Sequence, residues 1–280
     1  MKAAKDELLN AKIAEIMERL AREGSVIVAF SGGTDSSVVA ALAHRALGHK
    51  SLAVTVDSPL LPSGELEVAK RVAEQIGIKH LVIKLNELEI PGFSSNPPDR
   101  CYLCKKFRFE KLRELAAENG FRTIVDGTNL SDLGEYRPGL KAAKELGVYS
   151  PLLEADLSKE DVRRLARLLG FNTAEKPAAT CLATRIPYNN RLTTEQLARI
   201  DKAEGYIRSI TGVKVLRVRA HGNLARIEVG AGEQNLFYDT KISSQVAQRL
   251  KELGYDFVTL DLKGYKSGSF DHRLQSKGGS

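Results

Sequence analysis

The stretch that most constrains the fold is VAFSGGTDSS, residues 28–37, in which a hydrophobic run ends at two glycines and a helical pattern follows at once. Glycine permits a tight turn and lets backbone N–H groups approach a bound anion. The N-terminus of the following helix adds partial positive charge. The stretch therefore predicts a strand, a phosphate-binding loop and a helix in direct succession. The predicted phosphate-binding residues are Ser31, Gly32, Gly33, Thr34, Asp35 and Ser36.

The acid in this loop indicates a cation. Asp35 would repel a phosphate unless a divalent ion lies between them, so we expect Mg²⁺ at Asp35. The loop is not a Walker loop, because it has no Gly-Lys-Ser/Thr, and it is not a dinucleotide fingerprint, because it has no third spaced glycine. The alternative is a glycine turn that binds nothing.

Strand-like and helix-like patterns alternate along the chain before Pro187. Strands are predicted at 26–30, 52–56, 81–85 and 123–126, and helices at 37–47, 64–76, 105–119, 137–146 and 159–169. Such alternation is typical of βαβ units, in which helices cover both faces of a parallel sheet. The predicted fold class is α/β, with a doubly wound parallel sheet and a smaller C-terminal α+β domain.

The pattern changes after Pro187. Helices are predicted at 193–211 and 242–253, and strands at 213–219, 225–229 and 257–260, with a turn at 221–223. We therefore expect an N-terminal domain of residues 1–187, a C-terminal domain of residues 188–265 and a flexible tail of residues 266–280. The tail is polar and rich in Gly and Ser.

Composition narrows the class of protein. The net charge of +7 indicates anionic partners, such as nucleotides, phosphorylated metabolites or RNA. The N-terminal residues carry acids and a helical pattern, with Leu8, Leu9, Ile13, Ile16, Met17 and Leu20 on one side, which is not the pattern of a secretion signal. Charges interrupt every apolar run, so no membrane span is expected and a cytoplasmic location is predicted.

The three cysteines leave several interpretations open. Cys101 and Cys104 form a CxxC pair, and Cys181 lies far along the chain. A Cys₃His zinc site would need a histidine nearby, yet none of the five has ligand-like spacing to the pair. A redox dithiol or persulfide relay is feasible, since Arg100, Lys105 and Lys106 would lower thiol pKa values. Three unrelated buried cysteines remain the simplest alternative.

The loop resembles that of the PP-loop ATP pyrophosphatases, which carry SGGxDS after their first strand. This resemblance implies that the chain binds ATP, transfers AMP to an acceptor oxygen and releases pyrophosphate. Asp57, at the end of the second strand, would then lie near the adenosine; the alternative is that it simply caps a loop. Gly127, at the end of the fourth, would border the same crevice at the carboxyl ends of the strands.

Longer segments resemble the LarE family. They are residues 126–171, residues 176–193 (KPAATCLATRIPYNNRLT) and residues 217–229 (RVRAHGNLARIEV). The resemblance implies sulfur insertion into a pyridinium dicarboxylate mononucleotide, the precursor of a nickel-pincer cofactor used by lactate racemase. A carboxylate would be adenylated and its oxygen replaced by sulfur. The implied partners are this mononucleotide, a sulfide donor and further copies of the chain, with a hexamer as the suggested assembly.

The family resemblance also assigns roles to individual residues. Cys181 matches the cysteine that some members sacrifice as their sulfur source, but those members lack the CxxC pair. With three cysteines, the chain resembles members in which Cys101, Cys104 and Cys181 would hold a [4Fe–4S] cluster and leave one iron open for sulfide. Arg185 is predicted to hold a substrate carboxylate or phosphate, and Glu204 to orient substrate or move protons; a surface salt bridge is the alternative for Glu204.

Other basic residues and other functions stay open at this point. Arg217 and Arg219 would face the same way on a strand and form a phosphate-binding patch, or else a solvated sheet face. Arg137 is predicted to anchor a loop or contact ATP. One rival function is a tRNA thiolase, although no RNA-binding module is evident, so we expect no nucleic-acid partner. The other is a non-catalytic ATP-binding or metal-carrier protein.

Overall fold

The computed structural model describes residues 2–134, 137–172, 179–266 and 268–270. By their contacts the residues divide into two compact units. The first comprises Met1–Ser58, Gly64–Leu85 and Cys101–Ala178, and the second comprises Pro59–Ser63, Asn86–Arg100 and Ala179–Ser280.

The second unit differs from the expected C-terminal domain of residues 188–265. It begins at Ala179 and includes two segments from much earlier in the chain. Backbone hydrogen bonds join these segments to it: Leu182 N donates to the Leu60 carbonyl over 2.9 Å, and Asn189 N donates to the Asn96 carbonyl over 2.9 Å. Local sequence patterns do not report such long-range pairings.

The first unit contains a four-stranded parallel sheet, as predicted, in the order β3-β2-β1-β4. Its strands are β1 (Val26–Ala29), β2 (Ser51–Asp57), β3 (Lys79–Lys84) and β4 (Thr123–Val125). Its helices are α1 (Lys2–Glu23), α2 (Thr34–Leu47), α3 (Glu65–Ile76), α4 (Arg100–Asn119, whose first residue belongs to the second unit), α5 (Gly139–Glu145), α6 (Pro151–Glu154) and α7 (Lys159–Leu168).

Helices cover both faces of this sheet because side chains alternate along each strand. In β1, Val26 and Val28 belong to one buried cluster, which also contains residues of α1, α2 and α7. Ile27 belongs to a second cluster with Phe109 and Leu112 of α4. The doubly wound arrangement predicted from sequence is confirmed.

Two helices begin earlier than predicted. α2 begins at Thr34, because the Ser37 N–H donates to the Gly33 carbonyl and so extends the helix into the glycine loop. α4 begins at Arg100 rather than at Lys105, so both cysteines of the CxxC pair are helical. On α1, Leu9, Ile16 and Leu20 are buried as expected, but Leu8 is 61% exposed.

The second unit contains a mixed three-stranded sheet in the order β5-β6-β7, with β5 antiparallel and β7 parallel to β6. Its elements are α8 (Thr194–Thr211), β5 (Leu216–His221), β6 (Leu224–Val229), α9 (Thr240–Glu252) and β7 (Phe257–Leu260). The predicted strand at 213–219 begins later than expected, because the Lys214 and Val215 N–H groups donate to the Glu233 carboxylate.

Short 3₁₀ helices complete the described part of the chain; they are Gly48–Lys50, Glu87–Glu89, Phe93–Ser95, Leu130–Gly134, Leu182–Arg185 and Glu233–Phe237. No helix within the described ranges is long and apolar enough to cross a membrane. The predicted tail at 266–280 lies largely outside the described residues.

Candidate active site

The loop between β1 and α2 has a shape that only glycine permits at Gly32. This residue has φ +70°, and a Cβ there would lie 2.6 Å from the Ala69 Cα and 2.8 Å from the Ala69 N of α3. Both atoms belong to backbone, so neither moves easily. The loop is therefore held against α3, and α2 begins directly after it with Gly33 as its N-cap.

The hydroxyl groups of the loop bind mainly to the loop itself. Ser36 Oγ accepts from the Ser31 N–H over 3.2 Å and lies 3.1 Å from Ser31 Oγ. Ser36 and Ser37 both donate to the Gly33 carbonyl, over 3.1 Å and 2.7 Å. Ser36 is buried and Ser31 is exposed, so of these two predicted phosphate ligands only Ser31 presents its side chain to solvent.

Gly127 follows β4 and packs against the start of α2. A Cβ at Gly127 would lie 2.7 Å from the Ser36 N and 2.9 Å from the Asp35 carbonyl carbon. The glycine therefore permits close contact between the end of β4 and the loop between β1 and α2. The predicted role of Gly127 at the border of a nucleotide crevice stays a prediction.

Asp126, immediately before Gly127, anchors the same strand end. Its carboxylate accepts from Ser150 Oγ over 2.7 Å, from Thr128 Oγ1 over 2.7 Å and from Lys105 Nζ over 3.3 Å. Burial alone would raise the Asp126 pKa, but the Lys105 charge and these hydrogen bonds outweigh it and lower the pKa. Asp126 is thus an ionised structural group that directs Lys105 to the carboxyl ends of the strands.

Asp35 differs from Asp126 because part of its carboxylate has no partner. Its Oδ1 is buried and accepts no hydrogen bond. Burial is the main cause that raises the Asp35 pKa, and nearby Asp132 adds to it, while Lys159 acts in the opposite direction. A buried carboxylate oxygen without a donor, beside a second carboxylate, is suited to a divalent cation.

The residues around Asp35 were mostly missed by the sequence reading. Asp132 pairs with Arg137 over 2.9 Å and accepts from the Asn129 N–H over 3.0 Å. Arg137 therefore anchors a loop, one of its two predicted roles. Lys159 was missed because it looked like an ordinary first residue of a helix.

Asp57 lies where β2 ends, as predicted, and is half-buried. Its carbonyl accepts from the Leu85 N–H over 3.1 Å. The next residue, Ser58, accepts from Arg108 of α4 over 3.3 Å. The predicted role of Asp57 near adenosine stays a prediction.

Cys101 and Cys104 lie one turn apart at the start of α4, so they share a face of that helix. Cys101 is exposed and Cys104 half-buried, and neither forms a disulfide. Tyr102, between them, donates to Glu145 over 2.7 Å. Lys105, predicted to lower the pKa values of these thiols, pairs with Asp126 over 3.3 Å.

Cys181 belongs to the second unit, where it precedes the short helix Leu182–Arg185. It is half-buried and forms no disulfide. Arg185 is 1% exposed, and its Nε and Nη2 donate to the two carboxylate oxygens of Glu204 over 2.9 Å and 3.1 Å. The guanidinium that was predicted to hold a substrate carboxylate or phosphate therefore makes a bidentate contact with Glu204.

Glu204 is 1% exposed, so a surface salt bridge is the wrong description of it. It also accepts from the Val218 N–H over 3.0 Å and from Arg208 over 3.1 Å. Burial would raise its pKa, but the charge and hydrogen bonds of Arg185, the Val218 N–H and the charge of Arg208 together outweigh burial and lower the pKa. Neither geometry nor pKa favours Glu204 as a proton-transfer group.

Arg217 and Arg219 of the second sheet are each 5% exposed, so the alternative of a solvated sheet face is wrong for them. Arg219 pairs with Glu228 over 2.9 Å, and Glu228 also pairs with Arg226 over 2.7 Å. Burial, followed by the charge of Arg185, lowers the pKa of Arg217 to about 10. This concentration of positive charge is suited to a phosphate or carboxylate.

A buried brace around Asn96 was not predicted. Asn96 has φ +58° and donates through its side chain to the Ile186 and Pro187 carbonyls over 3.2 Å and 2.8 Å. Arg100 donates to Asn96 Oδ1 over 2.8 Å and lies over the Tyr188 ring, 4.1 Å from its centre. The only local signal was an Asn before two prolines. The brace orders the segment that leads into the CxxC helix.

No group of three or more His, Cys, Asp or Glu side chains within the described ranges is placed to hold a metal ion. This finding gives no support to the zinc interpretation. The three cysteines are divided between the two units, with Cys101 and Cys104 in the first and Cys181 in the second.

Comparisons with known proteins identify relatives over nearly the whole chain. The chain is 38% identical over 267 residues to the pyridinium-3,5-bisthiocarboxylic acid mononucleotide synthase of Lactiplantibacillus plantarum, covering 95% of this chain and 96% of that protein. It is 39% identical over 267 residues to an uncharacterized protein of Synechocystis, covering 95% and 99%.

More distant matches cover the N-terminal part or little more than half of the chain. A model of the asparagine synthase family matches residues 8–92, which include the glycine loop. One subunit of the glutamine-hydrolyzing GMP synthase of Archaeoglobus fulgidus is 30% identical over 176 residues, or 59% of this chain and 57% of that protein.

Proposed function

The chain belongs to the LarE family of ATP-dependent sulfurtransferases, within the PP-loop superfamily, and from this premise we propose its reaction. It adenylates a carboxylate of pyridinium-3,5-biscarboxylic acid mononucleotide and converts that group to a thiocarboxylate. The product serves the synthesis of a nickel-pincer cofactor. The observation that carries the proposal is the Gly32 loop, held against Ala69, with the partnerless Asp35 oxygen beside it.

The first step transfers AMP to the substrate. A carboxylate oxygen attacks the α-phosphorus of ATP, a new oxygen–phosphorus bond forms, and the bond to pyrophosphate breaks. Loop N–H groups and the N-terminus of α2 stabilise the charge on the departing pyrophosphate. Asp35 is the residue that would hold Mg²⁺, which supplies further neutralisation of that charge when bound.

The second step replaces AMP with sulfur. A sulfur nucleophile attacks the acyl carbon of the adenylate, the carbon–oxygen bond to AMP breaks, and AMP leaves with the electron pair. Arg217 is suited to the phosphate of the mononucleotide, because burial strengthens its interaction with an anion. The guanidinium of Arg219 already donates to Glu228 and to the Thr184 carbonyl, so we assign it to holding this site in place.

For the sulfur source we propose the cluster of the three-cysteine members, with Cys101, Cys104 and Cys181 as ligands. Three thiols outside disulfides, two of them one helical turn apart, have the right donor chemistry. Such a cluster would supply a replaceable sulfide. Within the described ranges no three-ligand group is assembled, so the cluster rests on the donor chemistry of the three thiols and on the family resemblance. The alternative is that Cys181 gives up its own sulfur.

Two measurements test the proposal. Protein purified without oxygen is mixed with ATP, Mg²⁺ and the mononucleotide, and pyrophosphate release is followed; no release above that of a sample without mononucleotide would overturn the adenylation step.

Iron and sulfide are then measured in wild type and in Cys101→Ala, Cys104→Ala and Cys181→Ala. We expect each substitution to lower the iron content. Unchanged iron in all three refutes the cluster, and loss of sulfur transfer only in Cys181→Ala favours sacrifice of Cys181.

A further inference from the structure

The backbone on both sides of Cys181 is held by one guanidinium nitrogen. Nη1 of Arg185 donates to the Cys181 carbonyl over 3.0 Å, and to the Thr180 carbonyl and Oγ1 over 2.8 Å and 2.7 Å. The Cys181 carbonyl accepts two further bonds, from the Thr184 N–H over 3.0 Å and from Thr184 Oγ1 over 2.8 Å. The peptide groups that flank the thiol are therefore fixed.

The other nitrogens of Arg185 connect this turn to the rest of the second unit. Nε and Nη2 bind Glu204 of α8, and Glu204 in turn accepts from the Val218 N–H of β5. Arg219 adds a further contact by donating to the Thr184 carbonyl over 2.7 Å. Each nitrogen of the Arg185 guanidinium thus donates to a protein acceptor, and the side chain is 1% exposed.

We propose that Arg185 is a positioning residue, which fixes the turn that presents the Cys181 thiol, and that Glu204 holds Arg185 in place. Neither side chain contacts substrate. The inference rests on the proposed function, because it assigns these residues to the sulfur-transfer half of that reaction. It replaces the roles of substrate ligand and proton carrier that the sequence suggested for them.

The arrangement matters because sulfur transfer requires the reacting atoms to be aligned. A displacement of about 1 Å is enough to slow a reaction roughly 100-fold. A turn that is hydrogen-bonded to a buried ion pair has fewer accessible conformations than a turn exposed to solvent. We therefore expect the pair to act on the rate of transfer and not on substrate affinity.

The test compares Arg185→Lys, Thr184→Val and the control Arg208→Gln in the full chain, purified without oxygen. Lysine keeps the charge opposite Glu204 but loses the planar arrangement of donors. Valine removes the Thr184 hydroxyl, which donates to the Cys181 carbonyl and accepts from Arg185 Nη1 over 3.0 Å. Arg208→Gln removes the charge of a partly exposed arginine that also pairs with the Glu204 carboxylate but lies outside the turn. Alkylation of Cys181 by iodoacetamide is measured by mass spectrometry of its peptide, on protein treated with an iron chelator so that no cluster shields the thiol. Pyrophosphate release and sulfur transfer are measured on untreated protein.

We expect Arg185→Lys to raise Cys181 alkylation and to slow sulfur transfer roughly 100-fold. Thr184→Val changes both in the same direction by less, and it carries the test if the lysine variant does not fold. Pyrophosphate release and the half-saturating mononucleotide concentration stay at wild-type values, as does every reading for Arg208→Gln.

A higher half-saturating concentration with unchanged alkylation overturns the inference and makes Arg185 a substrate ligand. Absence of pyrophosphate release in wild type would refute the proposed function instead, while the alkylation comparison would still report on positioning.

Discussion

The loop after β1 and the turn at Cys181 use their polar groups in opposite ways. In the loop, a carboxylate oxygen of Asp35 is buried without a donor, and Gly32 keeps backbone where a side chain would otherwise be. At the turn, Arg185 and Glu204 are both 1% exposed and bind each other and nearby backbone. The first region keeps hydrogen-bonding capacity for a ligand, whereas the second uses its capacity to hold a thiol.

This difference shows that charged residues which a family resemblance assigns to one reaction need not have the same role in it. Both regions contain buried charged groups. Only the structure distinguishes charged groups that lack a hydrogen-bond donor within the protein, such as Asp35 Oδ1, from groups that are already hydrogen-bonded, such as Arg185. Substitutions at the Cys181 turn should therefore act first on stability, and substitutions in the loop should act first on activity.

The largest effect is expected for stability at the turn. Glu204→Gln leaves the buried Arg185 guanidinium without a counter-charge, and breaking a buried pair in this way costs about 3–5 kcal/mol of unfolding free energy. Urea denaturation measures it. The matched control is Glu252→Gln, because Glu252 also pairs with an arginine, Arg249, but both side chains are more than 40% exposed. The control should cost under about 1 kcal/mol. Equal losses in both variants would contradict the view of Glu204 as a buried anchor.

The next effect is expected for activity at the loop. In Gly32→Ala the new Cβ collides with the backbone of Ala69, which displaces the loop N–H groups. Loss of such donors slows phosphate or acyl chemistry by about 100-fold or more, so pyrophosphate release should fall by that factor. Gly64→Ala is the control, since Gly64 has φ +85° but no atom within 4 Å of its Cβ position. A similar loss of activity in the control would show that backbone strain, and not the contact with Ala69, limits the reaction.

The sequence predicted the architecture well where patterns are local. The alternation of strands and helices indicated the parallel sheet, and the glycines of SGGTDS indicated the loop and the helix that follows it, although α2 begins three residues earlier than predicted. The last strand was predicted with its observed bounds, Phe257–Leu260. Each of these features depends on neighbours within a few residues.

The sequence predicted less where a role depends on distant contacts. The sequence did not indicate that Arg185 binds Glu204, because this pair joins a short 3₁₀ helix to α8. Asn96 looked like a loop residue, yet it binds carbonyls about 90 positions later. The start of α4 at Arg100 was missed because DRCYLCKK has no clear apolar periodicity.

The smallest effect is a shift in the pH dependence of the loop. Burial raises the pKa of Asp35, so this carboxyl takes up a proton at a higher pH than an ordinary aspartate. A protonated carboxyl binds Mg²⁺ poorly, and we expect pyrophosphate release to decline between the raised pKa and the ordinary aspartate range. More Mg²⁺ should move this decline to lower pH, because the metal competes with the proton.

Stability should move in the other direction over the same pH range. A carboxyl whose folded pKa is raised destabilises the fold when it is ionised, so protonation of Asp35 increases the free energy of unfolding as the pH falls. Asp126 and Glu204 have lowered pKa values, so their stabilising contributions are lost only below the ordinary carboxyl range. Pyrophosphate release and urea denaturation, measured across this pH range at two Mg²⁺ concentrations, distinguish the two effects. In Asp35→Asn the Mg²⁺-dependent shift should disappear; if the shift persists there, the cation is held by another group and the contrast between the loop and the Cys181 turn must be redrawn.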